Sequence, residues 1–157
     1  MRPESELRSK LFTFLSQHQV MNLAYCDGQG PGVCAVWFAV QEDLTLVFLS
    51  DYASRHAAAL VRGGTVAFTV QKDNQHWHSI KGVQGTGICQ PVADEYRESA
   101  WAAYSRRFPF VIQPSDKLAL ALANAALWSV TPSWFRLIDN SRRFGEKEEL
   151  ILKDVHR

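Results

Sequence analysis

Residues 4–18 carry apolar side chains at helical spacing. Leu7, Leu11, Phe14 and Leu15 share one face, which predicts an amphipathic helix lying on a core. Beyond it the period shortens. Residues 20–26, 33–40, 44–49 and 65–70 are short runs of β-branched and other apolar residues and read as strands. Only Gln41-Glu42-Asp43 separates the second run from the third, as in a tight hairpin. The strongest turn signal, Asp27-Gly28-Gln29-Gly30-Pro31-Gly32, stands between the first two runs. Residues 50–62, with Ala57, Ala58, Ala59 and Leu60 inside, predict a short helix stopped by Gly63-Gly64. Lys72-Asp73-Asn74-Gln75 is a polar turn, and 76–89 reads as a long strand interrupted by Gly82, Gly85 and Gly87. Residues 93–107 predict a helix with Tyr96, Ala100, Ala103 and Tyr104 on one side. Pro109 and Pro114 break the chain, and Ser115 is a candidate N-cap for a helix through 126. Residues 127–138 return as a strand in which Pro132 calls for an edge or a bulge. From Gly145 the chain is charged, apart from Leu150-Ile151-Leu152.

About six strands thus follow one another through short turns, without regular crossover helices. That pattern predicts a mainly β (α+β) domain, an antiparallel barrel with accessory helices, and disfavours a doubly wound sheet. A length of 157 residues suits one domain, spanning 1–157, and 46% hydrophobic residues suffice for a core. A net charge of +1 gives no reason to expect nucleic acid or an acidic membrane surface as partner. No apolar run approaches the roughly 20 residues that span a bilayer. Met1-Arg2-Pro3-Glu4 opens no apolar signal core, so a cytoplasmic location is expected. Cys26, Cys34 and Cys89 are widely spaced and form no CxxC, which predicts free thiols.

The chemistry concentrates in Ser50-Asp51-Tyr52-Ala53-Ser54-Arg55-His56. Two hydroxyls and two potentially cationic side chains gather where a strand gives way to a helix, a combination suited to a phosphate. The plainer alternative has Ser50 or Asp51 capping the helix and Arg55 facing water. His76 and His78, two apart on a predicted strand, could share a metal, but no further ligand stands at suitable spacing. Gly82-Val83-Gln84-Gly85-Thr86-Gly87 lacks the GxGxxG pattern and its strand-to-helix setting, so a dinucleotide fold is rejected. Arg106-Arg107 closes a helix, where cations suit the dipole.

The order strand, tight turn, strand, Ser-x3-Ser-Arg-His, helix, strand resembles the pyridoxamine 5′-phosphate oxidase-like FMN-binding split barrels. The YhbP-like branch is the closest. Gly82-Val83-Gln84 with Gly87, Tyr104-Ser105-Arg106-Arg107-Phe108-Pro109, and Asp139-Asn140 followed by Phe144-Gly145-Glu146-Lys147 match that branch in order. The resemblance implies FMN as cofactor, with its phosphate held by Ser50, Ser54 and Arg55, and with His56 in place of the family's Lys. It implies a flavin ring along the edge of the strand holding Val36, Trp37 and Phe38, of which adjacent residues face opposite ways. It also implies a homodimer whose second subunit closes the site near Gly82, Val83 and Gln84, with Phe144 near the flavin. The expected activity is oxidoreduction between a small-molecule electron donor and acceptor. Cys34 and Ala39 stand where the oxidase has Arg and Lys, and its C-terminal substrate-binding Arg and His have no counterpart, so oxidation of pyridoxamine phosphate is not expected. Two alternatives keep the fold. One is a haem-binding barrel using His18, His56, His76, His78 or His156; the other is a dimeric binding module without redox chemistry.

Overall fold

A computed structural model describes residues 3–152, and His156 lies outside them. The amphipathic pattern at the start becomes α1 (Pro3–Ser16), which buries Leu7, Leu11, Phe14 and Leu15. Seven strands follow: β1 (Val20–Asp27), β2 (Gly30–Val40), β3 (Leu46–Asp51), β4 (Gly64–Gln71), β5 (Lys81–Pro91), β6 (Ala125–Asp139) and β7 (Lys147–Ile151). The helices between them are α2 (Arg55–Leu60), α3 (Arg97–Arg107) and α4 (Asp116–Leu122).

All pairings are antiparallel, in the order β3-β2-β1-β4-β5-β6-β7. β3 also pairs with β6, so six strands close on themselves and β7 is appended to β6. Closure removes open edges except where it is incomplete. It is incomplete at one place: β2 pairs with β3 only through Phe38, Ala39 and Val40, whereas its partnership with β1 runs from Gly30 to Trp37. Residues 30–37 of β2 therefore form the lip of a split.

Alternation along the strands fills the interior with Met21, Leu23, Phe38, Phe48, Phe68, Trp128 and Phe135, all buried. A second cluster under α3 joins Ala39, Val47, Ala100, Tyr104, Phe108 and Val111 on the outer side of the β2–β3 junction. That explains why both Phe38 and Ala39 are buried although they face opposite ways.

Several boundaries differ from the sequence expectations. β2 starts at Gly30, three residues earlier than the apolar run, because the turn is tight: Gly30 takes a φ of 104° and the Gln29 amide donates to Asp27 Oδ1. β3 starts at Leu46, since Leu44 occupies the turn with φ 71° while its side chain stays buried. The helix expected from residue 50 begins only at Arg55; Ser50 and Asp51 remain in β3, paired with Ala126 and Ala125. A 3₁₀ turn, Trp77–Ser79, replaces the first part of the long strand expected from His76. Another, Asp94–Tyr96, precedes α3, and Tyr96 is exposed. α4 stops at Leu122 and β6 begins at Ala125, two residues earlier than its apolar run; no side-chain cap bond from Ser115 is present. β7 was hidden in a tail that is mostly charged, because an appended strand buries only Leu150 deeply. The bulge called for by Pro132 is present: opposite Thr86-Gly87 the register skips a residue between Trp134 and Pro132.

Candidate functional site

The last residues of β3 lead into a cap built by side chains. Ser54, the residue before α2, accepts from the Ala57 amide at 3.3 Å and donates its hydroxyl to the Asp51 carbonyl at 2.7 Å. The N-cap is therefore Ser54, in place of the expected Ser50 or Asp51. Asp51 instead accepts from the Ala53 amide at 2.8 Å, which tightens the turn. Ser50 is fixed from the opposite side: the indole of fully buried Trp128 donates to its carbonyl at 3.2 Å.

With both ends held, three polar side chains converge. Ser50 Oγ lies 2.5 Å and Ser54 Oγ 3.2 Å from His56 Nε2, and the two hydroxyl oxygens are 3.5 Å apart. His56 is half-buried, and desolvation lowers its pKa from the ordinary value. The Tyr25 ring borders it at 6.1 Å between centroids.

Arg55 stands beside this cluster but is engaged elsewhere. Its Nε and Nη2 grip the Asp27 carboxylate at 2.8 and 3.1 Å, a bidentate fork onto the β1–β2 turn. Nη2 also reaches the Gly30 carbonyl at 3.5 Å, and the guanidinium lies 5.7 Å from the Tyr25 ring centre. The hydrogen bond from Arg55, then that from the Gln29 amide, hold the Asp27 carboxyl below its usual pKa. Arg55 thus neither faces water alone nor stands as a free cation; Asp27 competes for the N–H groups that a phosphate would use.

The remaining expected residues divide by face. Val36 and Phe38 are buried in the barrel, whereas Trp37 is 46% exposed and turned outward. Its ring stacks on Phe108 at 5.1 Å and meets Phe110 edge-on at 5.5 Å, both just beyond α3. Val83 belongs to the core, so only Gly82 and Gln84 of that trio look outward. The glycines of β5 also separate. A Cβ on Gly85 would enter the Phe68 ring, and one on Gly87 would enter the Thr131 carbonyl at the bulge. At Gly82 a Cβ would meet only ordinary contacts, 3.4 Å to the Val70 carbonyl and 3.6 Å to Gln71.

His18, His76 and His78 have settled surroundings. His18 Nδ1 lies 2.7 Å from the Phe14 carbonyl, and its ring stacks on Phe14. His76 and His78 stack on each other at 5.5 Å in the loop before β5, not on a strand. Among the described residues no group of three or more His, Cys, Asp or Glu could hold a metal. Arg107 donates to the His18 carbonyl at 3.3 Å, a tie from α3 to the chain entering β1 that the helix-end argument had missed. Phe144 is 73% exposed and packs against Trp77. All three cysteines are free. No described helix is long and apolar enough to cross a membrane. Two concavities, about 490 and 450 Å³, lie elsewhere, one beside α1 and one between α3, α4 and the β3–β6 seam. Neither is lined by Ser50, Ser54 or His56.

The family model described as pyridoxamine 5′-phosphate oxidase matches residues 7–139. A UPF0306 protein of Cronobacter sakazakii is 30% identical over 134 residues, covering 83% of this chain and 85% of that protein. The UPF0306 protein YhbP of Escherichia coli O157:H7 is 29% identical over 110 residues, covering 70% and 68%. Among solved structures, a haem-binding protein from Mycobacterium smegmatis superposes with a TM-score of 0.70 at 16% identity, over 96% of this chain and 59% of that one. An FAD-binding protein from the same organism gives 0.62 at 14% identity, over 92% and 96%. At these identities the two structures speak for the fold alone.

Proposed function

Because the chain belongs to the pyridoxamine 5′-phosphate oxidase family and folds as its split barrel, we propose that it is a flavoprotein whose cofactor is FMN. The observation that carries this reading is the convergence of Ser50, Ser54 and His56 at the corner where the lip of β2 begins. Two hydroxyls and an imidazole within hydrogen-bond reach of one point suit the oxygens of a phosphate monoester. The same three groups lie off the apolar interior, so a charged ligand there need not cross the core.

FMN would supply the electron transfer between a small-molecule donor and acceptor. The chain's own residues do the rest. Ser50 and His56 would donate to the phosphate, Ser54 would join them on releasing the Asp51 carbonyl, and Trp128 fixes Ser50 from behind. The Arg55–Asp27 fork clamps the β1–β2 turn beside them, and Arg55 Nη1 lies outside that fork. The lip at 30–37 offers backbone groups without a strand partner to the polar edge of a flat ring. Gly82 and Gln84 look outward from β5, and the lack of a Cβ at Gly82 allows close approach from outside.

The same reading includes a homodimer. Val33, Ile88 and Ile151 are 69%, 46% and 74% exposed on the outer face of the sheet, a surface that a second copy would cover. Dimerisation would also close a site that one chain leaves open along the split.

The test is a titration of the purified protein with FMN and with riboflavin, followed by flavin fluorescence. FMN should quench at micromolar concentration and riboflavin should bind at least tenfold more weakly. The Ser50→Ala/Ser54→Ala variant should lose most of that difference. Absence of FMN binding, or a Soret band on haem addition with no flavin uptake, would overturn the proposal.

A further inference from the structure

Charge at the β3–α2 corner points to a specific role for His56, resting on the reading that a phosphate binds there. Arg55 carries a positive charge, but the Asp27 carboxylate cancels it at 2.8 Å. Asp51, the next residue after Ser50, adds a negative charge whose oxygen is turned to the Ala53 amide. The other titratable groups on the strands under α2 are the Tyr25 phenol and the exposed Cys26 thiol of β1, the half-buried Cys34 thiol of β2 and the buried Cys89 thiol of β5. Lys81 stands at the far end of β5 and is paired with Asp139. Burial raises the pKa of the Cys34 and Cys89 thiols. None of the groups beside the corner can add positive charge. With a neutral imidazole, the corner therefore carries one net negative charge, an unfavourable host for a phosphate monoester of charge about −1.5 to −2. Among the described residues, His56 is the one group at this corner that can change this by taking up a proton near neutral pH.

The hydrogen bonds agree. Ser54 commits its proton to the Asp51 carbonyl. When Nε2 is unprotonated, Ser50 commits its own proton to Nε2 at 2.5 Å. Both hydroxyls then present lone pairs outward. Protonation of Nε2 makes it a donor and frees the Ser50 hydroxyl to donate to the ligand.

We propose that His56 is the specificity-determining residue of this site: it takes up a proton as the phosphate binds, and so selects a phosphate monoester dianion, as in FMN, over the pyrophosphate of FAD, in which each phosphorus carries only one negative charge. An anion within about 4–6 Å raises a histidine pKa by about 1–3 units, and a dianion raises it more than a monoanion. His56, neutral in the free protein at pH 7.5, gains proton occupancy in the FMN complex. Above pH 7 the FMN phosphate is already a dianion, its second pKa being about 6, so the proton taken up belongs to the protein.

The experiment is calorimetric titration at pH 7.5 in two buffers of different ionisation enthalpy, using FMN, FAD and riboflavin as probes. FMN should bind with net uptake of roughly half a proton or more, and riboflavin with none. FMN affinity should fall up to about tenfold per unit between pH 7 and 8.5, and the FMN-over-FAD preference should shrink over the same range. His56→Gln should abolish the proton uptake and flatten the pH profile. Should that variant fold poorly, the His56 Cε1–H resonance of the native protein, titrated with and without FMN, reads the same pKa change. FMN binding with no proton uptake and an unmoved His56 resonance would overturn the inference while leaving the flavin reading intact. Failure of FMN to bind between pH 5.5 and 8.5 would overturn both.

Discussion

Gly85→Ala and Gly82→Ala should behave as opposites, although the two glycines are three residues apart on one strand. A Cβ on Gly85 would stand 2.7 Å from Cε2 and 2.8 Å from Cε1 of Phe68, and nearer still to Cζ. The ring cannot retreat: Phe68 is 2% exposed and meets the fully buried Phe135 edge-on at 5.6 Å. Nor can the backbone, since β5 is held between β4 and β6. Overpacking of this kind costs about 1–3 kcal/mol. The restricted unfolded chain returns about 0.4–1 kcal/mol. A net loss of about 1 kcal/mol, or roughly 2–4 °C in Tm for a domain of this size, is expected. Gly82→Ala meets no contact closer than 3.4 Å and should stay within about 0.5 kcal/mol of the parent. Its effect should appear instead in FMN affinity, because its outward face is where the cofactor would approach. Urea unfolding of both variants, with flavin titration of the second, decides the matter. Equal stability losses would refute the packing argument. Unchanged FMN affinity in Gly82→Ala would remove that glycine from the site.

Two further outcomes follow from burial and charge. Ellman's reagent at pH 8 should label Cys26 rapidly, Cys34 slowly and Cys89 only on unfolding. Cys26 is exposed and Cys34 half-buried, and burial pushes the Cys89 thiol up to about 12; fast labelling of all three in the native state would contradict the core assignment. In the ligand-free protein the His56 pKa lies below its unfolded value of 6.5, so the unfolded chain binds more protons across that interval. This contribution to stability is complete above pH 6.5 and is lost as pH falls toward the lower folded value, so the urea midpoint should drop there in the parent and not in His56→Gln. Asp27, likewise depressed by Arg55, contributes above its unfolded value of 3.8 and loses that contribution only at lower pH.

The sequence disclosed whatever depends on period and punctuation. Leu7, Leu11, Phe14 and Leu15 announced α1, the alternating runs announced the barrel strands, and Pro132 announced the bulge. Boundaries failed where a tertiary partner overrode a local signal. Ser50 and Asp51 looked helical beside an alanine-rich run, but Ala126 and Ala125 of β6 hold them in β3. β7 escaped notice because an appended strand needs one buried residue, Leu150, and tolerates Lys147, Glu148 and Glu149 around it. At the site, Ser50, Ser54 and His56 were legible as a cluster from spacing alone. The partner of Arg55 was not. Asp27 lies 28 residues earlier in a turn whose glycines draw attention away from its carboxylate, and no local pattern links the two.

One topological event accounts for why these pieces meet. β3 pairs with β6 along all six of its residues, from Leu46–Val130 to Asp51–Ala125, but with β2 only along the first three. Leaving β2 strips the lip at 30–37 of a partner. Following β6 carries Ser50 over Trp128, whose indole locks its carbonyl. A chain that leaves a strand so close to the barrel wall must turn at once, and Ser54 supplies the turn by capping α2 with the same hydroxyl that faces His56. α2 then lies across β1 and β2, where Arg55 reaches back to Asp27 and fixes the near end of the lip. The polar cluster and the unpaired edge are therefore consequences of one parting of strands. A substitution that lets β3 stay with β2, closing the barrel fully, would abolish both together, whereas changes confined to His56 leave the lip in place and alter only the charge it serves.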